Sequence, residues 1–119
     1  MNLYLYECVF IVRQDLPVQD VNKLTERFSG LVNQGGGKVI KKEYWGLRNL
    51  AYVIQKNKKG HYVMLGVQAG REAMSELERN MMISEDVINQ RVFRVNALDD
   101  TPSIMMREPA DSSALEAEQ

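Results

Sequence analysis

Three observations predict an α+β fold. Apolar and β-branched residues gather in four short runs, two longer stretches carry apolar residues at helical spacing, and turn-forming segments separate them in the order strand, helix, strand, strand, helix, strand. The chain has 119 residues, enough for one domain. Its 45% hydrophobic and 26% charged residues exclude collagen-like, wholly disordered and disulfide-stapled classes.

Residues 3–12 are rich in aromatic and β-branched side chains and too short for an amphipathic helix, so they predict a largely buried strand. Asp15-Leu16-Pro17 starts a helix, with the acid placed to cap it and the proline in its first turn. Val21, Leu24, Phe28, Leu31 and Val32 then recur at helical spacing until Gly35-Gly36-Gly37 ends the run. Residues 38–44 begin a second strand, which Gly46 interrupts as a bulge and which resumes through Leu50, Tyr52 and Ile54. Asn57-Lys58-Lys59-Gly60 supplies hairpin-turn chemistry, with Gly60 at positive φ. Residues 61–68 make the third strand. Residues 71–82 make a second helix that buries Ala73 or Met74, Leu77 and Met81, and residues 87–98 make the fourth strand. Two right-handed crossovers close these elements into a ferredoxin-like βαββαβ arrangement, a four-stranded antiparallel sheet with both helices on one face.

The domain spans residues 1–98. Residues 99–119 hold six acids against Arg107 alone, with Pro102 and Pro109 and no apolar periodicity, which predicts an acidic, disordered tail of net charge −5 on a body of +4. Cys8, the single cysteine, forms no internal disulfide. Residues 3–12 lack the basic start and cleavage site of a secretion signal and are too short to cross a membrane, so the chain reads as cytosolic with no membrane role.

Strand alternation sorts the sheet faces. Tyr6, Cys8 and Phe10 share the core side with Val63, Leu65 and Val67, because the opposite side of the first strand carries Glu7. Val9, Ile11, Tyr62 and Met64 then fall on the side without helices, where a monomer leaves them wet. Such an apolar cluster predicts a protein partner, the other reading being cover by tail residues Ile104-Met105-Met106.

Signals for catalysis are poor. One histidine and one cysteine lie on separate strands, and no His/Cys/Asp set has metal-ligand spacing, so no catalytic residue, metal or cofactor is predicted. Gly35-Gly36-Gly37-Lys38 runs from helix to strand, the reverse of a phosphate-binding loop. The strongest signal is electrostatic. Between residues 38 and 59 lie Lys38, Lys41, Lys42, Arg48, Lys56, Lys58 and Lys59 against Glu43 alone, with Tyr44, Trp45, Tyr52, His61 and Tyr62 interleaved. A basic hairpin with flat side chains suits phosphates and bases; the competing reading is a solvated edge strand kept soluble by lysines. His61, just past the turn, is expected at a surface or groove edge.

Residues 43–56, Glu-Tyr-Trp-Gly-Leu-Arg-Asn-Leu-Ala-Tyr-Val-Ile-Gln-Lys, followed by Lys59-Gly60-His61-Tyr62-Val63, resemble the long hairpin of the family of the sixth protein of the bacterial small ribosomal subunit. Tyr6-Glu7 and the stretch from Glu78 through Asp86-Val87 to Arg94 resemble it too, so the likeness covers about residues 4–97. The resemblance implies a ferredoxin-like, non-enzymatic, cytoplasmic ribosomal protein that takes no small-molecule substrate. It also implies binding to small-subunit ribosomal RNA together with the eighteenth protein of that subunit. Carried across, Arg48, Lys56, Lys58, Lys59, His61, Arg91 and Arg94 become RNA candidates, and Val9, Ile11, Tyr62 and Met64 become partner candidates. The chain departs from the pattern at Asn2-Leu3-Tyr4-Leu5, where members often carry basic residues, at Val53, where a proline is common, and at Asn89-Gln90, where an arginine is often found. Two rivals remain: a self-associating regulatory domain of the same fold that binds a small molecule, and an acylphosphatase-like enzyme built on the segment Arg13-Gln14-Asp15-Leu16-Pro17.

Overall fold

The computed structural model describes residues 2–98. The elements follow in the order β1 (Tyr4–Arg13), α1 (Val18–Gln34), β2 (Lys38–Ile54), β3 (Asn57–Ala69), α2 (Arg71–Ile83) and β4 (Val87–Val95). The sheet order is β2-β3-β1-β4 and every pairing is antiparallel, so β1 and β3 are central and β2 and β4 are edges. This is the ferredoxin-like arrangement expected. The predicted tail lies outside the described residues.

Both helices pack on one face. Their apolar stripes, Val21, Leu24, Phe28 and Val32 from α1 and Ala73, Met74, Leu77 and Met81 from α2, close over Tyr6, Cys8, Phe10, Val12, Val63, Leu65 and Val67. Phe28 meets Phe10 edge-to-face at the centre, with centroids 5.4 Å apart. The sulfur of Cys8 lies 3.6 Å from that of Met81, and burial pushes its thiol up to about 12. Above pH 9 the unfolded chain sheds this proton while the folded chain keeps it, so this group removes stability as pH rises from about 9 to about 12. Native protein at pH 8 should resist iodoacetamide and react only after denaturation, as intact-mass measurement would show; rapid native labelling would contradict the burial.

Four local expectations are corrected. Asp15 does not cap α1: its carboxylate pairs with Arg13, and Pro17 takes the cap position with no side-chain cap bond. β4 ends at Val95, three residues short of the expected end. Leu98 then lies over the open sheet face, where its methyl carbons come within 3.2–3.3 Å of the place a Gly66 Cβ would occupy.

The β2–β3 turn also falls earlier than predicted. Gln55 (φ 49°) and Lys56 (φ 68°) are its central residues, both left-handed, and β3 already begins at Asn57. Gly60 instead serves close packing inside β3, since a Cβ there would stand 2.3 Å from Ile11 Cγ2. Non-glycine residues at positive φ are strained, so Lys56→Gly should raise stability by about 1 kcal/mol, read as a higher urea midpoint; an unchanged midpoint would show that this turn holds no strain.

The fourth correction concerns the open face. Ile11, Tyr62 and Met64 do lie together there with Val9, but they are not wet. Tyr62 is fully buried and Met64 nearly so, in a second cluster with Trp45 and Ile88 against which Leu50 and Ile54 pack. The bulge at Gly46 (φ 98°), between the Tyr44 and Gly46 pairings, frees Trp45 from regular register and puts it on this face.

Candidate nucleic-acid interface

The hairpin tip is built by one side chain. Asn57 Nδ2 donates to the carbonyls of Ile54 (3.2 Å) and Gln55 (3.0 Å), satisfying a turn that has no glycine, and its Oδ1 accepts from the Gln14 backbone N–H at 3.0 Å. Gln14 answers through Oε1, which accepts from the Lys59 backbone N–H at 3.1 Å. The tip is therefore fastened to the loop between β1 and α1. Just before it, the pairing jumps from Asn49–Lys59 to Ile54–Asn57, so Leu50 to Val53 stand opposite Lys58 alone. The chain bows outward there, leaving Tyr52 61% and Val53 57% exposed.

The basic charge of this segment is unevenly available. Lys42 pairs with Glu26 of α1. Lys41 lies 3.7 Å from the Glu43 carboxylate, which also accepts from Trp45 Nε1 at 2.9 Å; Glu43 is buried. Lys56, Lys58 and Lys59 are exposed and form no ion pair with any described residue. The unspent charge is concentrated at the tip.

Two predicted RNA residues are placed otherwise than the sequence suggested. Arg48 is 2% exposed, and its Nε donates to the Trp45 carbonyl at 2.8 Å, bracing the bulge. His61 is 4% exposed rather than at a groove edge. The Leu16 carbonyl, 2.8 Å from Nε2, can only accept, so Nε2 donates to it, while Nδ1 lies 2.8 Å from the Tyr44 hydroxyl in a second hydrogen bond. Burial pushes the Tyr44 phenol up, which keeps its hydroxyl protonated. Both side chains were singled out by type, and no local pattern marks either as buried.

Arg91 and Arg94 part company. Arg91 pairs across from Val9 on the open face, where the neighbouring position Phe93 is 49% exposed. Arg94 pairs across from Tyr6 and so projects on the helix side. It stands with its guanidinium carbon 3.8 Å from the Tyr4 ring centroid, while Arg71 approaches the same ring at 5.5 Å. Sequence reasoning missed Arg71 because its meeting with Tyr4 is set by the fold. Ten residues of β1 at about 3.3 Å each separate this end of the sheet from the lysine tip by about 30 Å. The candidate residues thus form separate patches on one rigid body.

No group of three or more His, Cys, Asp or Glu among the described residues could hold a metal. The segment after β1 offers no anion cradle: Arg13 Nε donates to Asp86 Oδ1 at 2.8 Å and its other arm pairs with Asp15.

Comparison with known proteins gives a consistent picture. The profile of a family described as Ribosomal protein S6 matches residues 5–94. The small ribosomal subunit protein bS6 of Paramagnetospirillum magneticum is 54% identical over 103 residues, 87% of this chain and 72% of that protein. The protein of the same name from Zymomonas mobilis subsp. mobilis is 50% identical over 103 residues, 87% of this chain and 83% of its own. Among solved structures, the 30S ribosomal protein S6 of Thermotoga maritima superposes with a TM-score of 0.74 at 27% identity, covering 79% of this chain and 89% of its own.

Proposed function

This chain belongs to the ribosomal protein S6 family, and from that premise we propose that it is a structural, non-catalytic component of the small subunit of the bacterial, cytoplasmic ribosome. In this reading it binds small-subunit ribosomal RNA jointly with a second protein, the eighteenth of that subunit. The observation that carries the RNA-binding part is the hairpin tip, where three exposed lysines, with no ion pair to any described residue, ride on a turn fixed by Asn57. Arg91 and Arg94 add cations on β4, whereas Arg48 and His61 support the scaffold from within it.

The partner sits on the open sheet face. Val9 is half-buried there beside exposed Phe93 and Arg91, an apolar and cationic edge to a cluster whose centre, Ile11, Tyr62 and Met64, gives it rigidity. Phosphate contacts at the tip and a protein contact on the face are made by one preformed body, so each ligand positions this chain for the other and their binding is coupled.

The test is capture of small-subunit ribosomal RNA by the purified chain, with and without the eighteenth protein, alongside sedimentation of a cell lysate. The expected result is migration with small subunits and at least tenfold weaker RNA capture when the partner is omitted. Equal capture in both conditions overturns the joint mechanism, and absence from small subunits overturns the function.

A further inference from the structure

We propose that Tyr4, Arg71 and Arg94 form a second RNA-phosphate clamp at the end of the sheet opposite the lysine tip, an inference that rests on the RNA-binding function proposed above. The three residues come from β1, the start of α2 and β4, and the fold alone brings them together. The Arg94 guanidinium lies over the Tyr4 ring, its carbon 3.8 Å from the centroid, and Arg71 reaches the same ring at 5.5 Å. Tyr6 meets Tyr4 edge-on at 6.5 Å and steadies it.

Two guanidinium groups drawn to one ring repel each other, and the negative ring face offsets only part of that. Both arginines are exposed, and neither forms an ion pair with a described residue. Glu72 borders the adjoining groove but pairs with neither, so the cluster keeps a net positive charge. A guanidinium held against an aromatic ring retains its in-plane N–H donors, the geometry that grips a phosphate with two parallel bonds. The groove beside the ring, about 500 Å³ and bordered by Asn2, Tyr4, Gly70 and Arg71, has room for a phosphodiester with its sugar. The lysine tip lies about 30 Å away along β1. Clamp and tip would therefore hold two distant points of one folded RNA and fix the orientation of the protein on it, which a single patch cannot do.

The experiment measures binding of the full chain, with the eighteenth protein at saturation, to small-subunit ribosomal RNA across a salt series. Arg71→Gln should lower the slope of log affinity against log salt by about 0.7–0.9, the value of one phosphate contact. Tyr4→Leu should weaken binding about fivefold by releasing both arginines, and Tyr4→Phe, which keeps the ring face, should bind as the unaltered chain does. Circular dichroism confirms that each variant is folded. An unchanged slope for Arg71→Gln, or equal affinity for Tyr4→Leu, overturns the clamp. If that happens while loss of the tip lysines still weakens binding, the RNA-binding function stands and only the clamp fails. If the unaltered chain captures no RNA, both fall.

Discussion

Converting Lys56, Lys58 and Lys59 to alanine together is expected to reduce the salt slope of RNA binding by about 2–3 units, because each phosphate contact contributes about 0.7–0.9. The fold should survive: all three side chains are exposed, and such surface changes usually move stability by less than about 0.5 kcal/mol each. Asn57, which actually holds the turn, is left untouched. The useful contrast is Arg48→Ala. That residue is buried against the Trp45 carbonyl, so its loss should lower stability while leaving the slope with folded protein unchanged. A triple variant with an unaltered slope would remove the hairpin from the RNA site. A salt-indifferent homodimer would instead favour the self-associating rival.

The largest effect on stability is expected from Phe28→Ala, about 3–5 kcal/mol. Phe28 is fully buried, meets Phe10 edge-on, and lies where the α1 stripe presses on the central strand β1. Truncation leaves a cavity that the sheet beneath cannot close without bending. A urea titration reads the loss as a lower midpoint at constant slope. A loss under about 1 kcal/mol would mean that the two aromatic rings are not the centre of the core.

Much of this architecture was legible because period and punctuation agreed. The helical spacing from Val21 to Val32, the alternation of Tyr6, Cys8 and Phe10 against Glu7, and the glycine at position 46 each had one physical reading, and the fold bears them out. The errors came where a residue's type suggested a role that a distant neighbour had taken over. Gly60 looks like a turn glycine, but Ile11 across the sheet requires it bare. Asn57 looks like the start of a turn and is the side chain that completes the preceding one. Asp15 looks like a cap, yet Arg13, two residues back, takes its carboxylate. His61 looks like a residue at a surface or groove edge, yet it is buried, and its partners Leu16 and Tyr44 lie 45 and 17 residues away. The candidate interface was legible only as a lysine count. Which lysines are spent on Glu26 and Glu43, and which side chains gather at Tyr4, depends on pairings between elements that no local window contains.

The broken register of β2 has a consequence for a copy that has not yet been assembled. β2 is an outer strand of 17 residues, long enough to template the addition of a foreign strand and seed fibrils. Its pairing with β3 slips at Val39–Lys41, at Tyr44–Gly46 and at Asn49–Ile54, so no long straight stretch of amide groups faces outward. The same kinks that carry Trp45 inward and bow Tyr52 outward thereby guard a waiting molecule against polymerising with its own kind.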